Sequence, residues 1–396
     1  MARGAVRQRL GRVGVSEPLV VYGEASLEYD FGPDHPLTPR RFGPSIDLLR
    51  SCGASDFLDP PTATDEQLAR LHTAQYVETV RAFSSGGWHP AAAGIGPGDC
   101  PPFPAMHEAS AAVAGGSLAA VERILDGSVE HAFHPGGGLH HAMAGRASGF
   151  CIYNDVALAV ARARDAGHRV LYVDIDVHHG DGTQALFWDD PQVLTLSIHE
   201  SGITLFPGSG FVDERGGRGA EGTAVNVPLM ALSGNESWMA AVQATVPALA
   251  EAFRPTFLVS QHGCDSHVLD PLANLRLTTR AYAMATRLLD ELAHRHTEGR
   301  WLATGGGGYD AYRVVPRSWA LVWLAQAHRE PPVETDAGWR SRWEAESERF
   351  GQSPPPATFL DPERMAGAEP EQATEENRRT IDQALNGALE TLEARA

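Results

Sequence analysis

Short, almost continuously apolar runs alternate with longer stretches of helical periodicity between about residue 19 and residue 327. Uninterrupted apolar runs are typical of strands that helices cover on both faces. The pattern predicts strands at 170–175, 193–198, 256–260 and 301–304 and helices at 109–125, 155–166, 238–253, 279–293 and 312–327. Such alternation predicts an α/β fold with three layers, α/β/α, and a mostly parallel central sheet.

The composition changes after residue 330, where prolines interrupt the pattern and acidic residues outnumber basic ones. We therefore predict an N-terminal arm at 1–17, a catalytic domain at 18–330 and an acidic C-terminal extension at 331–396. We expect the extension to wrap the domain or to be partly mobile, rather than to form a second catalytic domain.

The formal net charge of −18 argues against direct nucleic-acid binding, which requires a basic surface. It is compatible with cationic ligands such as lysine side chains or polyamines. The basic N-terminus is not followed by an apolar stretch, and no apolar run is long enough to cross a bilayer. We therefore expect a cytoplasmic protein without membrane partners. The four cysteines are far apart and form no CxxC pair, which favours free thiols.

Acidic residues and a histidine follow the apolar run at 170–175 with a spacing of two: Asp174, Asp176 and His178. In extended backbone this spacing places the three side chains on one side. Carboxylate and imidazole donors suit a borderline divalent metal such as Zn²⁺. Asp265 follows another apolar run and is a candidate third ligand, although a helix cap is the alternative for this residue alone.

Two glycine-rich segments carry further candidate chemistry. His134-Pro-Gly-Gly-Gly-Leu precedes the adjacent pair His140 and His141, which a loop can direct into one cleft as general base and acid. A solvent-exposed pair is the alternative for the dipeptide alone. Four glycines at 305–308 precede Tyr309, and no Lys-Ser/Thr follows, so a phosphate-binding loop is disfavoured. The Tyr309 hydroxyl could face a developing oxyanion, or the ring could simply pack.

Taken together, these motifs resemble the histone deacetylase superfamily, whose members have the arginase/deacetylase fold. The resemblance runs from Tyr22 to about Arg329, and the bacterial acetoin-utilisation branch is the most similar. It is carried by Asp34-His35-Pro36, Gly98-Asp99-Cys100-Pro101, HPGGGLHH (134–141), GFCIYND (149–155), DIDVHHGDG (174–182), FPGSG (206–210), Asn226-Val-Pro228, the Asp265 loop and GGGGY (305–309).

The resemblance implies a role for each matching position. The catalytic metal, one Zn²⁺ or Fe²⁺ per chain, would be bound by Asp176, His178 and Asp265. His140, His141 and Tyr309 would be catalytic, with Asp174 and Asp181 as the carboxylate partners of the two histidines. A structural K⁺ is also implied, bound by the side chains of Asp174 and Ser197 and by backbone carbonyls of Asp174, Asp176, His178 and Ile198.

The resemblance also implies a substrate tunnel. Gly149, Phe150 and Phe206 would form its walls, and Leu272 would lie near its mouth. Asp99 would hold backbone amides of the substrate at the rim. Arg41 would line an internal channel through which acetate leaves.

The implied reaction is hydrolysis of N-ε-acetyl-lysine in proteins to lysine and acetate. His141 would take a proton from a metal-activated water, and a protonated imidazole would give one to the leaving amine. The partner would be an acetylated protein. The family resemblance suggests an acyl-CoA synthetase as a candidate for this substrate. Acetylpolyamine hydrolysis stays open as the alternative.

Two further alternatives are disfavoured by particular positions. An arginase-like ureohydrolase needs carboxylates for a second metal, but Gly180 and His267 stand two residues after His178 and Asp265. A catalytically silent module that binds acetylated partners would normally lack a metal ligand, a catalytic histidine or the tyrosine, and here all are present.

Overall fold

The computed structural model describes residues 17–86 and 89–394. Over these residues the chain forms eight strands in one sheet, with helices packed around it. The strands are β1 (Leu19–Val21), β2 (Phe57–Leu58), β3 (His131–His134), β4 (Val170–Asp174), β5 (Val193–Glu200), β6 (Ala224–Leu229), β7 (Phe257–Gln261) and β8 (Trp301–Thr304). The α-helices are α1 (Phe42–Cys52), α2 (Asp65–Leu68), α3 (Ala74–Ser84), α4 (Met106–Leu125), α5 (Asp155–Asp165), α6 (Asp181–Leu186), α7 (Asn235–Phe253), α8 (Thr279–His296), α9 (Val315–Gln326), α10 (Ala337–Arg349) and α11 (Glu371–Glu393).

The sheet has the strand order β2-β1-β3-β8-β7-β4-β5-β6, and every described pairing is parallel. The three-layer α/β/α prediction is therefore confirmed. The strands that precede the four candidate motifs, β3, β8, β7 and β4, are consecutive neighbours in this order. Since parallel strands end at the same edge of a sheet, the four loops that follow them come together there.

Alternating side chains of β4 enter two different cores. Val170 and Tyr172 pack in a cluster with residues of α4 and α5. Leu171 and Val173 pack on the other face, in a cluster with residues of α1, α7, α8 and α9. Because side chains of a strand alternate in direction, helices on both faces require both sets to be apolar. This explains the uninterrupted apolar run.

All four predicted strands and all five predicted helices are present, with ends that differ by zero to three residues. The sequence analysis did not predict β1, β2, β3 or β6. The strand β3 has the sequence His-Ala-Phe-His, and its polar ends leave too short an apolar run to be recognised. In β6, Asn226 and Pro228 interrupt the apolar run.

Residues beyond 330 pack on the domain through α10 and α11. The helix α11 lies against α7 and β6, and its apolar residues Ile381, Ala384, Ala388 and Leu392 join the main core. Of the predicted arm at 1–17, all but Glu17 lies outside the described residues. In the part of the chain described here, none of the helices combines the length and apolar character that crossing a bilayer demands.

Candidate active site

The three predicted metal ligands converge at the carboxyl ends of β4 and β7. His178 Nδ1 lies 3.1 Å from Asp176 Oδ1 and 3.1 Å from Asp265 Oδ2. One ligand atom from each of the three residues lies within 4.8 Å of the others. All three side chains are buried, and the two carboxylates are almost fully so. The structure thus assembles the predicted donor set.

Glycines allow the backbone to close around these carboxylates. A Cβ at Gly263 would lie 2.0 Å from Asp176 Oδ2, and one at Gly307 would lie 1.9 Å from Asp265 Oδ2. No side chain larger than hydrogen fits either position without displacing a ligand. Within the four-glycine segment at 305–308, Gly307 is therefore required by its close approach to the carboxylates.

The donor set fits a divalent cation electrostatically. Burial raises the pKa of Asp265 to about 6, and the nearby carboxylate of Asp176 adds to the rise. Two buried carboxylates this close repel each other, and a bound cation relieves that repulsion. Two oxygens and one imidazole nitrogen are donors typical of Zn²⁺ and of other borderline metals.

Hydrogen bonds to the outer oxygens orient the two carboxylates. Asp176 Oδ2 accepts from Gln261 Nε2 at 2.7 Å and from the Gly307 N–H at 2.8 Å. Asp265 Oδ1 accepts from the Val177 N–H at 2.9 Å. The oxygens that face His178, Asp176 Oδ1 and Asp265 Oδ2, are therefore the ones directed at the metal position. The sequence analysis gave Gln261 no role, although an amide at the end of an apolar strand is a recognisable signal.

The predicted histidine pair is present as two facing imidazoles. His140 and His141 place their Nε2 atoms 3.0 Å apart. Their Nδ1 atoms each lie 2.7 Å from a carboxylate oxygen, of Asp174 for His140 and of Asp181 for His141. Tyr172, which the sequence analysis did not single out, donates its hydroxyl to Asp174 Oδ2 at 2.6 Å.

The two imidazoles differ in basicity. Burial alone lowers the pKa of His140, but Asp174 and Asp176 outweigh it and the pKa rises to about 9. Burial and the neighbouring His140 lower the pKa of His141 to about 4, despite the contact with Asp181. His140 therefore has the higher proton affinity of the two.

A buried carboxylate that the sequence analysis did not assign holds the histidine loop in place. Asp155, the first residue of α5, accepts from the N–H groups of Gly138 and Leu139 at 3.1 and 2.8 Å. The adjacent Asn154 donates its amide to the carbonyl of His140 at 3.1 Å. Both residues end the GFCIYND motif. A polar pair at the start of a buried helix is the sequence signal that could have indicated this role.

A narrow pocket joins two of the predicted metal ligands, Asp176 and His178, with the histidine pair and Tyr309. Its lining includes Leu37, Arg41, Gly138, Leu139, His140, His141, Gly149, Phe150, Cys151, Asp176, His178, Gly306, Gly307 and Tyr309. The Tyr309 N–H donates to Asp270 Oδ2 at 2.9 Å, which fixes the start of this turn. Burial raises the pKa of the Tyr309 hydroxyl well above its usual value, and Asp265 and Asp176 add to the effect. The buried guanidinium of Arg41 donates to the Gly306 carbonyl at 2.6 Å.

The predicted tunnel walls lie beside the histidine pair. The Phe206 ring centroid is 5.1 Å from that of His141, and the side chain is 40% exposed, which places it at the rim. Gly149 has a φ of 50°, and a Cβ there would lie 2.4 Å from His141 Cδ2. Glycine at this position therefore leaves room for the imidazole of His141.

The remaining predicted substrate residues lie outside the pocket lining. The ring of His35 packs against Phe150 with centroids 4.5 Å apart, and its Nε2 lies 3.3 Å from the Asp99 carbonyl oxygen. This contact places the exposed Asp99 next to the tunnel wall. Leu272 is not among the lining residues; its N–H donates to Asp270 Oδ1 at 3.0 Å, so Asp270 connects it to Tyr309.

The side chains of the predicted potassium site are adjacent across β4 and β5. Asp174 and Ser197 are register partners, so their side chains share one face of the sheet. Ser197 Oγ lies 2.8 Å from His199 Nδ1, and Ile198 follows in the same strand. The K⁺ site itself stays a prediction.

The arrangement defines a class: an α/β/α protein with an Asp-His-Asp donor set for a metal ion at strand ends, beside a tyrosine and two imidazoles that each contact a carboxylate. Comparison with known proteins gives the family. The family model described as the histone deacetylase domain matches residues 35–326. The chain belongs to the histone deacetylase family and is a hydrolase of the acetoin-utilisation type.

Several relatives match across most of their length. The acetoin utilization protein AcuC of Bacillus subtilis (strain 168) is 39% identical over 381 residues, which cover 93% of this chain and 97% of the relative. AcuC of Staphylococcus xylosus is 37% identical and covers 82% of this chain and 86% of the relative. An HDAC homolog solved in complex with SAHA has a TM-score of 0.80 at 28% identity and covers 93% of this chain and 99% of the other. An HDAC homolog from Aquifex aeolicus has a TM-score of 0.79 at 28% identity.

Proposed function

We propose that this protein hydrolyses N-ε-acetyl-lysine in proteins, releasing lysine and acetate, with Zn²⁺ or Fe²⁺ bound by Asp176, His178 and Asp265. The observation that carries the proposal is the single narrow pocket in which two of these ligands, both imidazoles and Tyr309 meet. The bound metal would polarise the acyl carbonyl and activate a water molecule.

The histidine pair supplies complementary proton transfers. His141, neutral because its pKa is lowered to about 4, accepts a proton at Nε2 from the attacking water, while Asp181 holds its Nδ1. His140, whose pKa is raised to about 9, carries a proton that it gives to the leaving amine nitrogen as the C–N bond breaks. Transfer from His141 to His140 across the 3.0 Å contact between their Nε2 atoms restores both.

Tyr309 and Arg41 stabilise negative charge, Tyr309 on the developing oxyanion and Arg41 on the acetate product. Because its pKa is raised well above the usual value, the Tyr309 hydroxyl stays protonated and donates to the developing oxyanion. Arg41 is a buried cation that lines the same pocket, and it offers a counter-charge to the acetate product. A structural K⁺ held by Asp174, Ser197 and neighbouring backbone carbonyls would complete the site.

Asp99 favours a peptide substrate over a free polyamine. Asp99 is exposed, and its backbone carbonyl lies 3.3 Å from His35 Nε2, whose ring packs on Phe150. From this position its carboxylate would accept from backbone N–H groups that flank an acetyl-lysine. A polyamine has no such groups, although the net charge of −18 attracts its amines. Bulk charge is screened within about 8–10 Å at physiological salt, so local geometry decides. An acetylated acyl-CoA synthetase is the first candidate substrate that the family resemblance offers.

The test is kcat/KM for an acetyl-lysine peptide and for acetylputrescine, with wild type, Asp99→Ala and the control Asp34→Ala. The control removes an equally exposed carboxylate next to His35. Loss of hydrogen bonds to a charged group predicts that peptide turnover falls at least about tenfold in Asp99→Ala. Acetylputrescine turnover should be slower in wild type and unchanged in both variants. If acetylputrescine is the better wild-type substrate, the protein is an acetylpolyamine amidohydrolase instead.

A further inference from the structure

A second group of potential metal ligands lies near the amino ends of the strands, opposite the carboxyl ends where the active site lies. His131 is the first residue of β3, so it stands at the amino end of the strand whose carboxyl end leads to the catalytic histidines. Asp290 and His294 lie one turn apart on α8, and His328 follows the end of α9. Three separate elements thus bring three imidazoles and one carboxylate together.

The ligand atoms have the spacing of a tetrahedral site. His294 Nε2 lies 3.2 Å from His131 Nε2 and 3.0 Å from His328 Nε2. Asp290 Oδ1 lies 3.5 Å from the Nε2 atoms of both His131 and His294, and Asp290 Oδ2 lies 3.3 Å from His328 Nε2. For zinc bonds of about 2.0–2.1 Å, the corners of a tetrahedron lie about 3.3–3.4 Å apart. The five separations, two of them measured to Oδ1 and one to Oδ2 of Asp290, bracket that value.

Hydrogen bonds among these side chains do not account for the cluster. His294 Nε2 faces two other Nε2 atoms and a carboxylate oxygen, but an imidazole nitrogen has one proton or one lone pair to offer. Asp290 Oδ1 is buried and has no hydrogen-bond partner among the described residues. The nearest imidazole nitrogens lie 3.5 Å from this oxygen. Buried carboxylate oxygens are normally hydrogen-bonded or bound to a cation, and a metal ion in the cluster would satisfy this one.

The backbone at His328 supports the same conclusion. This residue has a φ of 53°, in the left-handed region, directly after the end of α9. Glycine is the usual residue where a helix ends in this conformation, because a Cβ is disfavoured there. His328 adopts this conformation with its Nε2 in the cluster, which makes the helix end compatible with a ligand role for the side chain.

We propose that His131, Asp290, His294 and His328 bind a Zn²⁺ or similar borderline divalent cation, distinct from the catalytic ion. Four protein ligands fill a tetrahedral shell and leave no position for substrate, which is the mark of a structural site. The ion would connect the end of α9 and the last turns of α8 to the amino end of β3. The inference does not depend on the proposed deacetylase activity.

The experiment is metal stoichiometry of the untagged full-length chain, loaded with Zn²⁺ and dialysed against metal-free buffer. Wild type should retain two ions per chain, and His294→Ala and His328→Ala should each retain one. Both histidines are at least a third exposed, so their replacement should leave folding intact. His296→Ala, on the same helix but outside the cluster, is the matched control and should retain two.

Two further readouts separate this site from the catalytic one. Asp176→Ala should lose the catalytic ion and retain the second, whereas His294→Ala should keep its deacetylase turnover. Added Zn²⁺ should raise the melting temperature of Asp176→Ala by several degrees and leave that of the double variant Asp176→Ala/His294→Ala unchanged. The proposal is overturned if wild type retains a single ion that Asp176→Ala loses, if His294→Ala and His328→Ala retain two, or if the His296→Ala control loses one.

Discussion

The imidazoles of His140 and His141 face each other with Nε2 atoms 3.0 Å apart, yet each Nδ1 contacts a different carboxylate. Asp174 is fully buried, whereas Asp181 is about a tenth exposed and starts α6. Asp174 and Asp176 together outweigh burial and raise the pKa of His140, whereas burial and the neighbouring His140 lower the pKa of His141 despite Asp181. The two adjacent imidazoles therefore differ in proton affinity, as the proposed acid and base roles require.

His141→Ala should lower kcat at neutral pH by roughly 10²–10⁴, the usual contribution of a positioned general base. Cys151→Ser is the control from the same pocket, and its kcat should stay within a few fold of wild type. Burial raises the pKa of Cys151 well above its usual range, and its Sγ contacts the Gly149 carbonyl at 3.3 Å, so the thiolate is disfavoured. Trapping of an acetyl-cysteine intermediate would contradict water attack.

Tyr309→Phe should lower kcat by roughly 10²–10³, the contribution of one oxyanion donor, while metal content stays at the wild-type level. The substitution removes only the hydroxyl, so the ring contact with Phe150, at a centroid distance of 6.1 Å, is retained. Steady-state kinetics and metal analysis on the same preparation check this. A rate near that of wild type would mean that Tyr309 only packs.

Gln261→Met should weaken metal binding about 10- to 100-fold, as expected for loss of a hydrogen bond that orients a ligand. Methionine keeps the length of the side chain but cannot donate to Asp176 Oδ2. The affinity follows from competition with a chelator. His262→Gln is the neighbouring control, because that ring bonds Ser260 on the far side of the backbone from the metal ligands. Equal affinities in wild type and Gln261→Met would assign Gln261 to packing alone.

The sequence allowed prediction of the sheet and of the residues that the site brings together, because apolar runs and strand-end polar residues are local signals. It did not reveal β3, whose four residues begin and end with histidine. Nor did it reveal that Asp155 holds the histidine loop, since that role depends on a contact 16 residues away. Leu272, which the family resemblance places near the tunnel mouth, lies outside the pocket lining, and its role stays a prediction.

The C-terminal residues are fastened to the domain by contacts that no local pattern could indicate. Asp361 is buried and lies 2.7 Å from Arg317 Nη1 and 2.8 Å from His267 Nε2. It also accepts from the Thr279 hydroxyl at 2.9 Å. His267 stands two residues after Asp265. Its ring contacts Asp361, so the side chain faces the C-terminal segment.

This contact predicts a pH-dependent contribution to stability. Burial alone raises the pKa of Asp361, but His267 and Arg317 outweigh it, and the pKa lies well below the usual range. A carboxylate with a depressed folded-state pKa stabilises the fold fully above its unfolded pKa of about 3.9 and loses this effect as the pH falls through the folded value. Asp361→Asn should therefore lower the free energy of unfolding by about 3–5 kcal/mol at pH 7, because Arg317 is left buried without its partner.

Urea denaturation of wild type and Asp361→Asn at pH 7, 5 and 3 measures this difference in stability. Any loss of metal at low pH affects both proteins and therefore cancels in the comparison. The difference between wild type and Asp361→Asn should be constant from pH 7 to pH 5 and shrink below about pH 4, where the unfolded aspartate begins to take up its proton. Glu375→Gln is the matched control, because the ion pair of Glu375 with Arg379 is more than half exposed on both sides. It should change stability by less than about 1 kcal/mol. A difference for Asp361→Asn that stays the same down to pH 3 would show that the shape of the side chain, and not its charge, holds the C-terminal segment.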